Sequence, residues 1–302
     1  MESILIYGLI EGLMIALVSF SLSMIYSGLR LLDISVGGVY VAASYFFAFT
    51  LYLLRSFGSP LSGFTFALSF VLSIGLCIML YLAIEKAVYL PFFRKKAGSM
   101  TGLIVSLALF TTIINVIAMI AGTENMIFSI PENFDASCVI GKVIISRVQY
   151  FQFIVSVFLL STALYLLNKT TLGRKIIALA DNPVQFQAIG FDVPRTRLYI
   201  IVLAAVLISS ASILKSIDVG IDPFSSGFNI VLIAAVAMIL GGVTNFYGII
   251  AASLFLGLLM NLSSWFFPGD WKMAVVFMVL ILMLLFRKQG FFAQRLRLEE
   301  EQ

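Results

Sequence analysis

The chain has 302 residues, of which 61% are hydrophobic and 11% are charged. A soluble domain carries about 25% charged residues because its surface faces water, so this composition excludes a soluble protein and indicates that most of the surface faces lipid. The sequence contains no histidine, the commonest metal ligand and the commonest general base near neutral pH. We therefore expect no metal site, no cofactor and no enzymatic activity.

Apolar stretches of membrane-crossing length recur along the whole chain. Each is expected to form a helix, because hydrocarbon offers the backbone no hydrogen-bond partners. The stretches lie near residues 4–27, 33–54, 61–84, 100–121, 150–167, 198–216, 228–260 and 271–286. The first is longer than the apolar core of a signal peptide and follows no basic segment, so we expect it to be retained. The predicted fold class is all-α: a polytopic transmembrane helical bundle of about eight spans, in a single domain over residues 1–302.

Most of the 19 lysines and arginines collect on one side of the predicted bundle, and basic loops mark the cytoplasmic side of a membrane protein. The clusters are Lys86 with Arg94, Lys95 and Lys96; Lys169, Arg174, Lys175, Arg195 and Arg197; and Arg287, Lys288, Arg295 and Arg297. This distribution predicts an external N-terminus and a cytoplasmic C-terminus. The net charge of +4 follows from the same bias, and nucleic-acid binding is not expected.

The first span contains an acid, Glu11, beside two glycines. Burying a charge in the membrane costs roughly 2.5–3.5 kcal/mol, so Glu11 has either a functional role or a structural one near the outer end of the span. Gly8 and Gly12 stand four residues apart, the spacing at which two helix backbones approach closely. We expect these glycines to form a helix–helix contact.

The second span opens with polar residues beside a glycine pair: Asp33, Ser35, Gly37 and Gly38, followed by Tyr40. Asp33 lies at the predicted cytoplasmic mouth, where it either caps the helix or lines an exit. Interrupted segments at corresponding positions in two halves of a transporter are typical of the solute path. This segment and a second one around Gly241 and Gly242 are therefore predicted to line a translocation path. The alternative is that their polar residues form ordinary hydrogen bonds between helices.

The later segment lies in the stretch 228–260, which is too short for two full spans of about 20 residues each although both flanking loops are predicted outside. Its middle holds Gly241 and Gly242, followed by Thr244 and Asn245. We predict a broken, re-entrant pair of half-helices of about 13–15 residues each, which requires a buried site or a wet cavity. One long tilted helix with a glycine packing contact is the alternative.

The loop over residues 168–197 predicts a short capped helix. Asp181 or Asn182 is suited to cap its N-terminus, Pro183 fits the first helical position, and Gly190 fits the left-handed position after its end. The predicted helix therefore runs from Pro183 to Ile189. Its interior residues are Val184, Gln185 and Phe186.

This short helix carries apolar residues although it lies outside the bilayer, so it needs a partner. One interpretation is an amphipathic segment that rests on lipid headgroups. The other is a docking helix that inserts into a groove on another protein. The pattern alone leaves both open.

Four stretches of the sequence form a specific combination by their order and spacing across residues 8–291. They are Gly8–Gly12 with Ala16–Leu17 and Ile25–Tyr26; Glu85–Arg94; Thr171–Arg174 with Ala180–Pro183 and Ile189–Gly190; and Ala234–Gly242 with Leu285–Phe291. In this combination the chain resembles the LivH-like family, the branched-chain amino-acid permeases of bacterial ABC importers.

The resemblance implies an importer of the bacterial inner membrane. In such a system two permease subunits, identical or different, pair with each other, two cytoplasmic ABC ATPase subunits drive them, and an extracytoplasmic solute-binding protein delivers the solute. In that family the loop corresponding to residues 181–190 touches the ATPase, which favours the docking helix. The sequence has no Gly-x-x-x-x-Gly-Lys-Ser/Thr phosphate loop, so we expect ATP hydrolysis on a separate subunit and alternating access in this one.

The chain departs from the family at the start of the second span. Many members have Asn-Phe-Ala-His-Gly there, whereas this chain has Leu-Asp-Ile-Ser-Val-Gly over residues 32–37. The sequence therefore leaves the identity of the solute open: it is an amino acid, branched-chain or other, or a related amide or urea. The alternative function is an ion-coupled secondary transporter without an ATPase, which would need more acids inside the spans than Glu11.

Overall fold

The structure is a computed structural model that describes residues 2–57, 63–94, 98–126, 137–140, 143–266 and 268–286. Its helices are α1 (Glu2–Leu29), α2 (Ser35–Ser56), α3 (Gly63–Ile84), α4 (Leu90–Arg94), α5 (Ser99–Ala121), α6 (Arg147–Lys169), α7 (Thr171–Asp181), α8 (Pro183–Ala188), α9 (Val193–Val219), α10 (Ser225–Gly241), α11 (Phe246–Phe266) and α12 (Lys272–Phe286). A π-helical segment, Glu85–Tyr89, joins α3 to α4, and a 3-10 turn, Gly269–Trp271, precedes α12. The predicted transmembrane helical fold is confirmed.

Seven helices of the described chain are long and apolar enough to cross a membrane: α1, α2, α3 with its π-helical continuation, α5, α6, α9 and α11. α10 and α12 are also apolar but shorter, with 17 and 15 residues. The sequence did not predict a short hairpin between α5 and α6, in which β1 (Ser137–Ile140) pairs antiparallel with β2 (Val143–Ser146).

α1 lies at the centre of the bundle, where it packs against α6, α9, α10 and α11. Its side chains from Leu13 to Ile25 are buried. Its serines are satisfied inside the bundle; for example, Ser23 donates to the carbonyl oxygen of Val243 at 2.6 Å. α3, α5 and α6 keep wide apolar faces exposed, as expected of helices whose outer surface meets hydrocarbon rather than water.

The contact between α1 and α11 depends on glycine. A Cβ atom on Gly12 would lie 2.8 Å from Cα of Leu254, and one on Gly8 would lie 2.9 Å from Cα of Leu258. On the α11 side, a Cβ atom on Gly257 would collide with the backbone of Gly12. The predicted packing role of Gly8 and Gly12 is confirmed.

The predicted break in the stretch 228–260 is also confirmed, and a continuous helix is wrong. α10 ends at Gly241, Gly242 has a φ of +90°, and α11 begins after Asn245, whose side-chain oxygen accepts from the amide of Gly248 at 3.1 Å. The helices have 17 and 21 residues, longer than the expected half-helices.

The extra length comes from residues 225–227 and 261–266, which the sequence analysis gave to loops. At 1.5 Å per residue α11 is about 30 Å long, the thickness of the hydrocarbon core, so α11 is not a half-helix. The turn lies beside the end of α6, because Asn168 donates to the hydroxyl of Tyr247 at 2.8 Å.

Candidate translocation and coupling site

The predicted short helix is present as α8. Asn182, not Asp181, is its N-cap: its side-chain oxygen accepts from the amides of Val184 and Gln185 at 3.0 and 3.1 Å. Pro183 takes the first helical position, and Gly190 has a φ of +91°. The helix ends at Ala188, one residue earlier than predicted.

Asp181 instead ends α7, a helix that the sequence analysis missed. α7 buries Ile176 and Leu179, and Arg30, just after α1, donates to the carbonyl oxygens of Ala180 and Asp181. The segment between α6 and α9 is therefore two helices tied to the end of α1, not a loose loop with one helix in it.

α8 presents two different surfaces. Phe186 is 2% exposed and stacks on Phe191 with 5.0 Å between ring centroids. Val184 and Ile189 are 76% and 74% exposed. Because the described residues leave these two apolar side chains uncovered, one in α8 and one directly after it, the exposed pair is suited to a partner surface, while Phe186 anchors the helix to the bundle.

A buried ion pair links the segment after α8 to α3. Asp192 caps α9 by accepting from the amide of Arg195 at 3.3 Å. Within the next turn, Arg197 contacts Glu85 of the π-helical segment at 3.1 Å, and their side chains are 6% and 3% exposed. Breaking a buried pair leaves an uncompensated charge in a low-dielectric interior, so this contact joins α9 firmly to α3.

Asp33 lies in a buried polar cluster near this ion pair. Its carboxylate accepts from the hydroxyls of Tyr81 and Tyr89 at 2.7 and 2.6 Å and from the amide of Ser35 at 2.9 Å. The Ser35 hydroxyl lies 3.3 Å from that of Tyr89. Asp33 is completely buried, so in this conformation it holds the start of α2 and does not face an open exit.

The two glycine pairs pack against different helices. A Cβ atom on Gly37 would lie 2.6 Å from the carbonyl oxygen of Gly227 in α10, and one on Gly38 would lie 3.1 Å from Ile113 in α5. Gly241 instead packs against Gly248 of α11. Gly242 and Thr244 lie in the turn between α10 and α11.

Tyr40, one of the predicted path residues, lines a cavity. The cavity has a volume of about 180 Å³ and is bordered by α1, α2, α9, α10 and α11; its lining includes Glu11, Lys215 and Asn229. The sequence analysis missed Lys215, which lies at the end of the predicted sixth span, 198–216. The structure extends α9 to Val219, and a lysine that close to a helix end gives little signal.

The comparisons with known proteins agree with one another. The profile of a family described as "Branched-chain amino acid transport system / permease component" matches residues 4–284. The chain is 24% identical over 291 residues to the high-affinity branched-chain amino acid transport system permease protein BraD of Pseudomonas aeruginosa, with 95% of this chain and 94% of that protein covered.

Two further relatives show the range of similarity. The corresponding permease protein LivH of Escherichia coli strain K12 is 24% identical over 288 residues, which cover 94% of this chain and 92% of LivH. The xylose transport system permease protein XylH of Haemophilus influenzae is 29% identical over 126 residues, or 39% of this chain and 34% of XylH. No solved structure matches.

Proposed function

Because the chain belongs to the family of branched-chain amino acid transport system permease components, as a membrane permease subunit of an ABC importer, we propose that it carries an amino acid, or a related amide or urea, by ATPase-driven alternating access. The N-terminus lies outside and the C-terminus in the cytoplasm of a bacterial inner membrane. An ion-coupled carrier that works without an ATPase is the disfavoured alternative.

The proposed assembly has a second permease subunit, identical or paralogous, two cytoplasmic ABC ATPase subunits and an extracytoplasmic solute-binding protein. ATP is hydrolysed on the ATPase subunits. α8 is the coupling helix, and its site comprises Asp181, Asn182, Pro183, Val184, Gln185, Phe186, Ile189 and Gly190. The observation that carries this assignment is the contrast between a buried anchor in α8, Phe186, and an exposed apolar pair, Val184 in α8 and Ile189 directly after it.

Force applied to α8 has a continuous route into the bundle. Phe186 stacks on Phe191, which precedes α9, and the first turns of α9 hold the Arg197–Glu85 ion pair. Glu85 belongs to the same π-helical segment as Tyr89, a donor to Asp33 at the start of α2. ATPase closure drives transport only if it favours one arrangement of these helices energetically over the other.

The translocation path runs between the helices that meet at the cavity beside Tyr40. We assign Asp33, Ser35, Gly37, Gly38, Gly241, Gly242, Thr244 and Asn245 to the elements that move around it. The glycines support this assignment through the closeness of their contacts: a Cβ atom on Gly37 would meet the backbone of Gly227, and one on Gly241 would meet that of Gly248.

The test is co-purification of the ATPase subunits with the permease. Val184→Asp/Ile189→Asp should abolish co-purification and ATP-dependent uptake into vesicles, because two charges replace the exposed apolar pair, while the permease itself stays folded. Phe57→Asp is the matched control: Phe57 is 82% exposed at the far end of α2, and its variant should co-purify normally. Undiminished co-purification of the double variant would reject the coupling role, and ATP-independent accumulation under an ion gradient would reject the ABC mechanism.

A further inference from the structure

A second ion pair lies inside the bundle, away from the coupling segment. Oε1 of Glu11, on α1, is 3.4 Å from Nζ of Lys215, on α9. The side-chain amide of Asn261, on α11, donates to Oε2 of Glu11 at 2.6 Å. Unlike the Arg197–Glu85 pair, this pair is only partly buried: the Glu11 and Lys215 side chains are 20% and 35% exposed.

The exposed parts of the pair face two cavities. The first is the cavity of about 180 Å³ beside Tyr40. The second has a volume of about 220 Å³ and is lined on the α6 side by Gln149 and Gln152 and on the α9 side by Asp218. Glu11, Met14 and Lys215 line both cavities, so the ion pair is the wall between them.

Packing alone gives no reason for such a pair. Replacing an ion pair inside a protein with apolar residues of similar size is often neutral or stabilising, and charges within a membrane span are costly. A lysine ammonium has three N–H donors, and within the described residues Lys215 uses one of them, on Glu11. Charges of both signs therefore remain open to a solute in the cavities.

Building on the proposed function, we propose that Glu11 and Lys215 bind the two charges of a zwitterionic solute, an α-amino acid. Lys215 takes the solute carboxylate, and Glu11 takes the solute ammonium, each in exchange for its present partner. An α-amino acid carries both charges on one carbon, so its charges stand side by side as those of the pair do. The exchange replaces the one contact between Glu11 and Lys215 with two opposite-charge contacts to the solute and opens the wall between the cavities.

The remaining walls fit an apolar solute side chain. Ile15, Ile230, Ile233 and Met260 line the first cavity around the pair. An uncharged amide or urea has no charges to exchange with the pair and would leave it closed. The site therefore favours an amino acid among the solutes that the family resemblance left open.

The test measures solute binding to the detergent-purified complex of permease and ATPase subunits, without the binding protein. The probes are a tritiated mixture of the common amino acids and, separately, labelled urea. The wild-type complex should retain the amino acids and not urea. Glu11→Leu/Lys215→Leu should still assemble, because both members of the ion pair are removed together. Its affinity for amino acids should fall roughly tenfold to hundredfold, the effect of losing a charge-assisted hydrogen bond.

Two further variants keep the test decisive. Glu11→Gln preserves the shape of the side chain and should also lose at least about tenfold in affinity, which covers the case in which the double variant does not assemble. Lys169→Leu removes an exposed basic residue at the other end of the bundle and should bind as the wild type does.

Wild-type affinity in either cavity variant, absence of amino-acid binding to the wild-type complex, or equal binding of urea would overturn the assignment. The proposed function is tested separately by ATP-dependent uptake into vesicles: uptake of urea alone would leave the importer intact and refute the zwitterion site.

Discussion

Arg195 and Arg197 stand two residues apart in α9, and replacing each with leucine should have very different effects on stability. Arg197 pairs with Glu85 at 3.1 Å, and both side chains are almost fully buried. Arg195 pairs with Asp192 at 3.0 Å, but its side chain is 81% exposed and that of Asp192 is 46% exposed. The two distances are similar, so the predicted difference comes from burial.

Arg197→Leu should lower the free energy of unfolding by about 3–5 kcal/mol, because it leaves the Glu85 carboxylate buried without its counter-charge. Arg195→Leu should lower it by at most about 1 kcal/mol, since water and salt screen a surface pair. Glu85→Leu/Arg197→Leu should recover most of the loss, because the uncompensated charge is gone.

The measurement is equilibrium unfolding of the purified permease in mixed micelles by titration with SDS, followed through the fluorescence of its 2 tryptophans. Equal losses for Arg195→Leu and Arg197→Leu would refute the argument from burial. A double variant as unstable as Arg197→Leu would show that arginine contributes mainly through other contacts rather than by neutralising Glu85.

Two other substitutions test the helix contacts. Gly257→Leu should prevent assembly, because any side chain at this position collides with the α1 backbone at Gly12. Gly75→Leu should assemble normally, since beyond its own stretch of helix no atom of the described residues lies within 4 Å of a Cβ placed there. Size-exclusion chromatography in detergent distinguishes the two variants, and a monodisperse Gly257→Leu protein would contradict the packing. Asp33→Asn should lower the free energy of unfolding by roughly 1.5–3 kcal/mol, because the hydrogen bonds from Tyr81 and Tyr89 lose their charged acceptor. SDS titration measures this, and an unchanged midpoint would show that these hydrogen bonds do not stabilise the fold.

The membrane architecture was predictable from sequence because hydrocarbon imposes one strong rule, the internal pairing of every backbone amide. The same rule, combined with the paired glycines, predicted the break at Gly241. It did not predict the lengths of α10 and α11, because polar residues occur inside helices when they find local or interhelical partners. Ser225, the first residue of α10, donates to Asp222 in the preceding loop, and Asn261 of α11 donates to Glu11 of α1. α8 was predictable because its caps are local: Asn182, Pro183 and Gly190 act within the segment itself.

Features that depend on distant residues were not predictable. α7 was missed because its buried side chains, Ile176 and Leu179, are covered by other helices rather than by lipid. The Glu11–Lys215 pair joins residues 204 positions apart, and local patterns carry no information about such a contact. For the same reason the sequence suggested that the glycine pairs of α2 and α10 correspond, whereas the structure packs them against different helices.

The position of α1 at the centre of the bundle sets an order of events during biosynthesis. Glu11 emerges from the ribosome 204 residues before Lys215, a delay of about 10–40 s at ordinary translation rates. Throughout that interval the first helix carries a carboxyl group whose counter-ion does not yet exist. Nascent α1 therefore bears the cost of this carboxyl group alone, roughly 2.5–3.5 kcal/mol on insertion scales, until α9 supplies Lys215 and α11 supplies Asn261.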